Sequence, residues 1–116
     1  MTDHDRMCRM DDQLAHIWVV RTFLKHSEEA EEDQELQQVH RGLYDFALAL
    51  GEAWKSQDAL SYLKTARKKL HRLRKATNLF VEIQPDVSGH MNFQMAARSL
   101  QSAVAEVEAV LTDDSV

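Results

Sequence analysis

The chain has 116 residues with only three Gly and one Pro, a length suited to one domain and a composition too poor in turn-forming residues for an all-β fold. It carries 14 basic and 19 acidic side chains, a formal net charge of −5, so binding to nucleic acid would have to depend on local clustering of cations. A single Cys excludes an intrachain disulfide, and the longest apolar run, Ile17 to Val20, is too short for a membrane span, so we expect a cytoplasmic protein.

The first helix is predicted to begin with Asp11 or Asp12 as its N-cap, since a carboxylate suits the positive end of a helix. It is predicted to end near His26, with a break before the acidic residues that follow. Residues 1–10 show no helical periodicity and are predicted to be a flexible tail of the single domain, as are residues 112–116.

The apolar residues of this first helix wrap around most of its surface. A helix of this kind needs cover on more than one side, and a small bundle has few elements to provide it. We therefore expect a homo-oligomer in which a second copy covers Val19, Val20 and Phe23.

Three further helices are predicted from apolar residues that recur every three or four positions. Their predicted spans are Leu36 to Trp54, Ala59 to about Ile83, and His90 or Asn92 to Leu111. Pro85 is expected to end the third helix and to leave residues 84–89 as a loop. Because short joins make successive helices antiparallel neighbours, the sequence predicts an all-α, antiparallel up-down four-helix bundle.

The outward positions of the third helix form a dense cationic cluster. The candidate partner-binding residues are Lys64, Arg67, Lys68, His71, Arg72, Arg74 and Lys75. The acidic residues 28–35 are expected beside residues 79–86, about 17 Å away along the hairpin, which exceeds the screening length of about 8 Å. The cluster is then either a solvated face or a binding surface for phosphates or carboxylates, without an aromatic side chain for base stacking.

The segment Leu70-His71-Arg72-Leu73-Arg74-Lys75 resembles the phosphorylated-histidine motif of histidine phosphotransfer domains. Those domains are four-helix bundles in which an exposed helical His is followed by an apolar residue at +2, Lys at +3 and Gly at +4. Leu73 and the cation of Arg74 fit this pattern, whereas Lys75 stands at the position of the Gly. The resemblance implies a phosphorelay through His71, beside the simpler interpretation of an ordinary surface histidine.

Arg21 falls among the apolar residues of the first helix, where a guanidinium needs a partner or an aromatic ring. It is expected to reach the rim, to stack on an aromatic ring of the bundle, or to form an anion pocket with His26. We predict no metal site, because the Glu-x-x-His pair of di-iron bundles is absent, and no other cofactor. No nucleophile with a base and no phosphate-binding Gly loop is visible, so we expect no enzyme.

These observations favour a non-enzymatic interaction module whose third helix presents cations to an acidic partner, either a nucleic-acid backbone or an acidic protein. The first alternative is a phosphorelay through His71. The second is a purely structural bundle that assembles with copies of itself.

Overall fold

A computed structural model of the protein describes residues 1–112, and within this range it contains four α-helices and no strand. The helices are α1 (Asp3–Lys25), α2 (Gln34–Lys55), α3 (Ala59–Val87) and α4 (Met91–Thr112), with a 3₁₀ turn at Glu28–Glu31 between α1 and α2. The predicted all-α four-helix fold is confirmed. None of these four helices is both long and apolar enough to cross a membrane.

The helices share one hydrophobic core, to which α2, α3 and α4 contribute mainly the apolar residues of their predicted repeats, whereas Trp18 of α1 lies at the surface. The start of α1 contacts the end of α4 through an ion pair between Arg9 and Glu106. The end of α1 contacts the start of α4 through Phe23 and Phe93, whose ring centroids are 5.0 Å apart. These contacts favour the antiparallel order, which stays a prediction for the bundle as a whole.

The prediction of a flexible tail at residues 1–10 is wrong, because α1 begins near the start of the chain. The side chain of Thr2 accepts a hydrogen bond from the Asp5 backbone at 3.1 Å, and the Asp5 carboxylate accepts one from the Thr2 backbone at 3.2 Å. This reciprocal cap satisfies backbone groups that the first turn of a helix leaves open. Met7 and Met10, one turn apart on α1, are fully buried in the core.

Asp11 and Asp12 accordingly lie inside α1 and not at its N-cap. Asp11 is half-buried and accepts a hydrogen bond of 3.0 Å from the hydroxyl of Tyr62, which joins α1 to α3. Burial raises the pKa of the Asp11 carboxyl, while the hydrogen bond from Tyr62 acts in the opposite direction. At the other end of the chain, Thr112 closes α4, and the rest of the second predicted tail, residues 113–116, lies outside the described residues.

The break after α1 is confirmed, since that helix ends at Lys25. The short join between α2 and α3 is also confirmed, and it depends on Gln57, whose φ of 55° lies in the left-handed region. The Gln57 N–H donates to the carbonyl of Trp54, and the Asp58 N–H donates to that of Ala53. This pair of bonds is a Schellman motif, and it turns the chain directly into α3.

Pro85 does not end α3, which continues to Val87, so the predicted loop at residues 84–89 is wrong over most of its length. A proline removes one backbone hydrogen bond from a helix, and its cost is smallest where few turns remain. The last turn still closes, because the Ser88 N–H donates to the carbonyl of Gln84 at 3.0 Å.

The homo-oligomer stays a prediction, but two of the three α1 residues expected to be covered by a second copy pack within the chain itself. Val20 is buried in the core, and Phe23 packs edge to face against Phe93. Val19 alone of the three is exposed.

Candidate functional site

The outer face of α3 is cationic because most of its apolar residues turn toward the core. Leu63, Ala66, Leu70 and Leu73 are buried, and most of the positions between them are exposed. All seven predicted partner-binding residues are exposed, namely Lys64, Arg67, Lys68, His71, Arg72, Arg74 and Lys75. We refer to these seven residues as the α3 cationic face.

Two members of the face are occupied by contacts with α4. The Nε of Arg74 lies 2.8 Å from the Glu108 carboxylate, and the Nε of Arg67 donates to the Leu111 carbonyl at 3.2 Å. Glu106, the other acidic residue of α4, pairs with Arg9 of α1 instead. Arg74 is therefore neutralised by a carboxylate, whereas Arg67 contacts an uncharged carbonyl and keeps its charge.

The outward side of the face keeps its charge, and its Arg72 and Lys75 lie next to α2. It carries Lys64, Lys68, Arg72 and Lys75, which form no ion pair with any carboxylate among residues 1–112. These four side chains recur once per turn and make a row about 16 Å long at 1.5 Å per residue. A row of unpaired cations on a chain with excess acid is a local region of positive potential.

A groove of about 350 Å³ between α2 and α3 adds a further cation to this row. Arg41 of α2 lines the groove together with Arg72 and Lys75, and Asp45 is the one carboxylate among its lining residues. Three cations against one carboxylate leave the groove positive.

Gly42 explains why the two helices come close enough to form this groove. A Cβ atom at Gly42 would lie 3.0 Å from the Cβ of Ala76, so any larger residue would push α2 and α3 apart. The close approach brings Arg41, the neighbour of Gly42, to the same groove as Arg72 and Lys75.

His40, the neighbour of Arg41 on α2, lies near cations of both α1 and α2. Burial lowers the pKa of His40 first, and the nearby charges of Arg21, Arg41 and Lys25 lower it further. His40 is thus a half-buried imidazole whose charged neighbours are all cations. We call the set Arg21, His40, Arg41, Arg72 and Lys75 the cationic belt, since it crosses α1, α2 and α3.

Arg21 anchors the α1 end of the belt. Its guanidinium carbon lies 4.6 Å from the ring centroid of Trp18 and 4.7 Å from that of Tyr44. The expected stacking on an aromatic ring is confirmed. The anion pocket with His26 stays a prediction; His26 is exposed at the C-cap of α1, and the histidine on which the Arg21 charge acts is His40.

An apolar groove of about 340 Å³ opens beside the belt, between α1 and α2. Its lining includes Leu14, Trp18, Tyr44 and Leu48. Trp18 is 43% exposed and Leu48 is 63% exposed, so the groove presents apolar surface to solvent. The side chain of Asp11 marks the end of the groove away from Arg21.

The α2 part of this site was missed by the sequence prediction, which placed no functional residue on α2. His40, Tyr44 and Leu48 recur every four residues and so share one side of α2, and Arg41 lies beside them. That strip is a recognisable signal, but its link to Arg21 and to α3 depends on how the helices pack.

The acidic residues gather at one end of the bundle. Glu29, Glu32 and Glu35 line an opening there together with Asp86 of α3, which confirms their predicted position beside residues 79–86. They are not among the charges that act on His40.

His71 is exposed on the α3 cationic face with one ring nitrogen occupied. Its Nδ1 lies 3.2 Å from the Lys68 carbonyl, and a carbonyl can only accept, so Nδ1 is the protonated nitrogen in this contact. The Nε2 atom then carries the lone pair.

No cluster of three His, Cys, Asp or Glu side chains suited to hold a metal ion is found within residues 1–112. The chain matches no protein-family model, and neither the curated proteins nor the solved structures yield a similar one.

Proposed function

We propose that the protein is a non-enzymatic interaction module that binds an acidic partner through the α3 cationic face. The observation that carries the proposal is the row Lys64, Lys68, Arg72 and Lys75, which is exposed and lacks an ion pair within the described range. Charges that serve only to solvate a bundle are commonly balanced by neighbours of opposite sign, as Arg74 is by Glu108.

The length of the row indicates a partner with many negative charges. A single small anion would contact one or two of these side chains, whereas the row extends for about 16 Å and continues into the belt through Arg41. Several phosphates or carboxylates on one partner would use it fully. Binding of this type releases counterions and weakens steeply with salt.

A matched pair of double variants tests the proposal. Lys68→Gln/Lys75→Gln removes two charges from the row, and Lys55→Gln/Arg98→Gln removes two exposed charges from α2 and α4 outside it. At about 50 mM salt we expect the first pair to weaken binding of a single-stranded oligonucleotide or polyglutamate about tenfold or more, and the second pair to change it little. Fluorescence anisotropy measures both affinities.

Equal weakening by the two double variants would contradict the proposal, because net charge alone would then govern binding. Failure of the wild-type protein to bind either probe at about 50 mM salt would remove it.

The phosphorelay through His71 is a second candidate, and the contact of its Nδ1 with the Lys68 carbonyl favours it. This contact leaves Nε2 as the nucleophile toward a phosphorylated receiver domain, and nearby cations would stabilise the phosphohistidine. Acid-labile phosphate should appear on the wild-type protein and be absent from His71→Gln. Acceptance at an unchanged rate by His71→Gln would exclude the relay.

A further inference from the structure

We propose that the acidic partner is a single-stranded nucleic acid, whose phosphates lie along the α3 cationic face and the cationic belt while one base stacks on Trp18. This inference rests on the proposed function and names the class of partner. The inference depends on Trp18 of α1, an exposed aromatic side chain beside the cations, for which the α3 cationic face has no equivalent.

The belt provides a continuous path from α3 to Trp18. Arg41 shares a groove with Arg72 and Lys75. One turn further along α2, the ring of Tyr44 contacts the Arg21 guanidinium, which also lies against the Trp18 ring. A strand whose phosphates follow the belt would therefore arrive at the indole.

The Trp18 ring is held in place and partly open. Tyr44 packs against it with ring centroids 5.8 Å apart at an angle of 40°, and the Arg21 guanidinium contacts both rings. The indole is nevertheless 43% exposed at the edge of the apolar groove of about 340 Å³ between α1 and α2. A partly exposed aromatic ring, held by its neighbours beside an apolar recess, is a surface on which a nucleobase can stack.

The combination of cations and an aromatic ring separates this partner from the other polyanions. An acidic protein would use the cations and leave the indole and the groove without a role. A duplex keeps its bases stacked inside, where Trp18 cannot reach them. A single strand presents phosphates and free base faces together, and positive grooves with aromatic side chains are the usual means of binding it.

Trp54→Phe makes the test direct, because Trp18 is then the one tryptophan of the chain. Trp54 lies at the join between α2 and α3, packed on Tyr62 with ring centroids 6.2 Å apart, and is not part of the groove. We expect a thymidine 12-mer to quench the Trp18 fluorescence at about 50 mM salt. An abasic 12-mer, which has the phosphates without the bases, should bind more weakly and quench little.

Substitution of Trp18 provides the second arm. Trp18→Ala should weaken binding of the thymidine 12-mer by about 5- to 100-fold and leave binding of the abasic 12-mer nearly unchanged, and Trp18→Phe should restore part of the loss. Because Trp18 contacts Arg21 and Tyr44, thermal unfolding followed by circular dichroism must show that each variant is folded.

Each contrary outcome is distinct. Equal binding of the two 12-mers without quenching, or binding of polyglutamate in preference to the thymidine 12-mer, overturns the single-strand inference and leaves the proposed function intact. Trp18 fluorescence that changes with protein concentration alone, together with a doubled mass in light scattering, overturns it in favour of a second copy on this groove. Absence of binding to every polyanion removes the proposed function as well.

Discussion

Arg21 is the residue through which α1 contributes to the cationic belt. Its guanidinium contacts the rings of Trp18 and Tyr44, and its Nε is buried without a hydrogen-bond partner in the described part of the chain. Removing this group from water costs free energy, and the cation–π contacts with the two rings offset part of that cost. A cation–π contact in a partly buried site contributes about 1 to 2 kcal/mol. A lysine lacks the planar group that lies flat against a ring, so Arg21→Lys would not be a conservative change.

His40 should titrate below the ordinary histidine pKa of 6.5 in the free protein. Burial lowers its pKa, and the charges of Arg21, Arg41 and Lys25 lower it further. Bound phosphates would oppose those charges, so we expect the pKa of His40 to rise when an oligonucleotide binds and the affinity to increase as the pH falls toward 6. NMR titration of the His40 ring with and without the oligonucleotide measures both effects.

The same shift has a defined sign for stability. Because the folded state holds the pKa of His40 below its unfolded value of 6.5, the unfolded chain binds the proton first, and this residue reduces stability as the pH falls from 6.5 through the folded pKa. Arg41→Gln should raise the pKa of His40, whereas Lys55→Gln, which removes a more distant charge, should leave the pKa of His40 unchanged. A pKa of His40 at or above 6.5 in the free wild-type protein would contradict the proposed arrangement of charges.

At the scale of the helices, Gly→Ala substitutions at the two glycines of α2 separate two effects on stability. One is the higher helix propensity of Ala, and the other is the close packing of α2 against α3. A Cβ at Gly51 meets no atom within 4 Å, so Gly51→Ala should stabilise the protein by about 0.5 to 1 kcal/mol. At Gly42 the added Cβ would lie 3.0 Å from that of Ala76, and separating α2 from α3 should cancel that gain or cost up to about 2 kcal/mol. Urea unfolding of both variants gives the comparison.

Equal stabilisation by the two substitutions would show that α2 and α3 do not depend on Gly42 for their approach. The groove that joins Arg41 to Arg72 and Lys75 would then need another cause.

The helices that the sequence predicted best are those with a long apolar repeat. The eight apolar residues of α4 that repeat at helical spacing are all buried, and so long a repeat leaves little ambiguity; they are Phe93, Ala96, Ala97, Leu100, Ala103, Val104, Val107 and Leu111. The start of α1 was missed because Met7 and Met10 stand among charged residues and because the cap, Thr2, lies next to the first residue of the chain. The end of α3 was missed because Pro85 occupies a last turn that closes without its N–H.

At the scale of the whole molecule, the charges are separated in space. Glu29, Glu32, Glu35 and Asp86 gather at one end of the bundle, whereas the cations of the belt cross the faces of α1, α2 and α3. The protein therefore has a locally positive surface although its net charge is −5. Such a separation would orient an approaching polyanion before contact, and would do so most strongly at low salt.

The α3 cationic face could be predicted from the sequence, whereas the cationic belt could not. The α3 cationic face lies on one helix, so its outward direction follows from the period of the core residues alone. The belt joins Arg21, His40 and Lys75 from three helices, and their proximity depends on the offsets between those helices. The periodicity of side chains along one helix does not determine how that helix is positioned relative to its neighbours. Close contacts between helices do, such as that of Gly42 in α2 with Ala76 in α3.

The most direct test of the central claim is a map of backbone amide shifts, recorded by ¹⁵N NMR while a single-stranded 12-mer is added at about 50 mM salt. We expect the largest shifts between Lys64 and Lys75 of α3 and around Arg41 of α2, with a marked decrease near 200 mM salt. Shifts confined to the outer side of α4 around Arg98, or to the acidic end around Asp86, or no shifts at all, would contradict the assignment of the α3 cationic face as the binding surface.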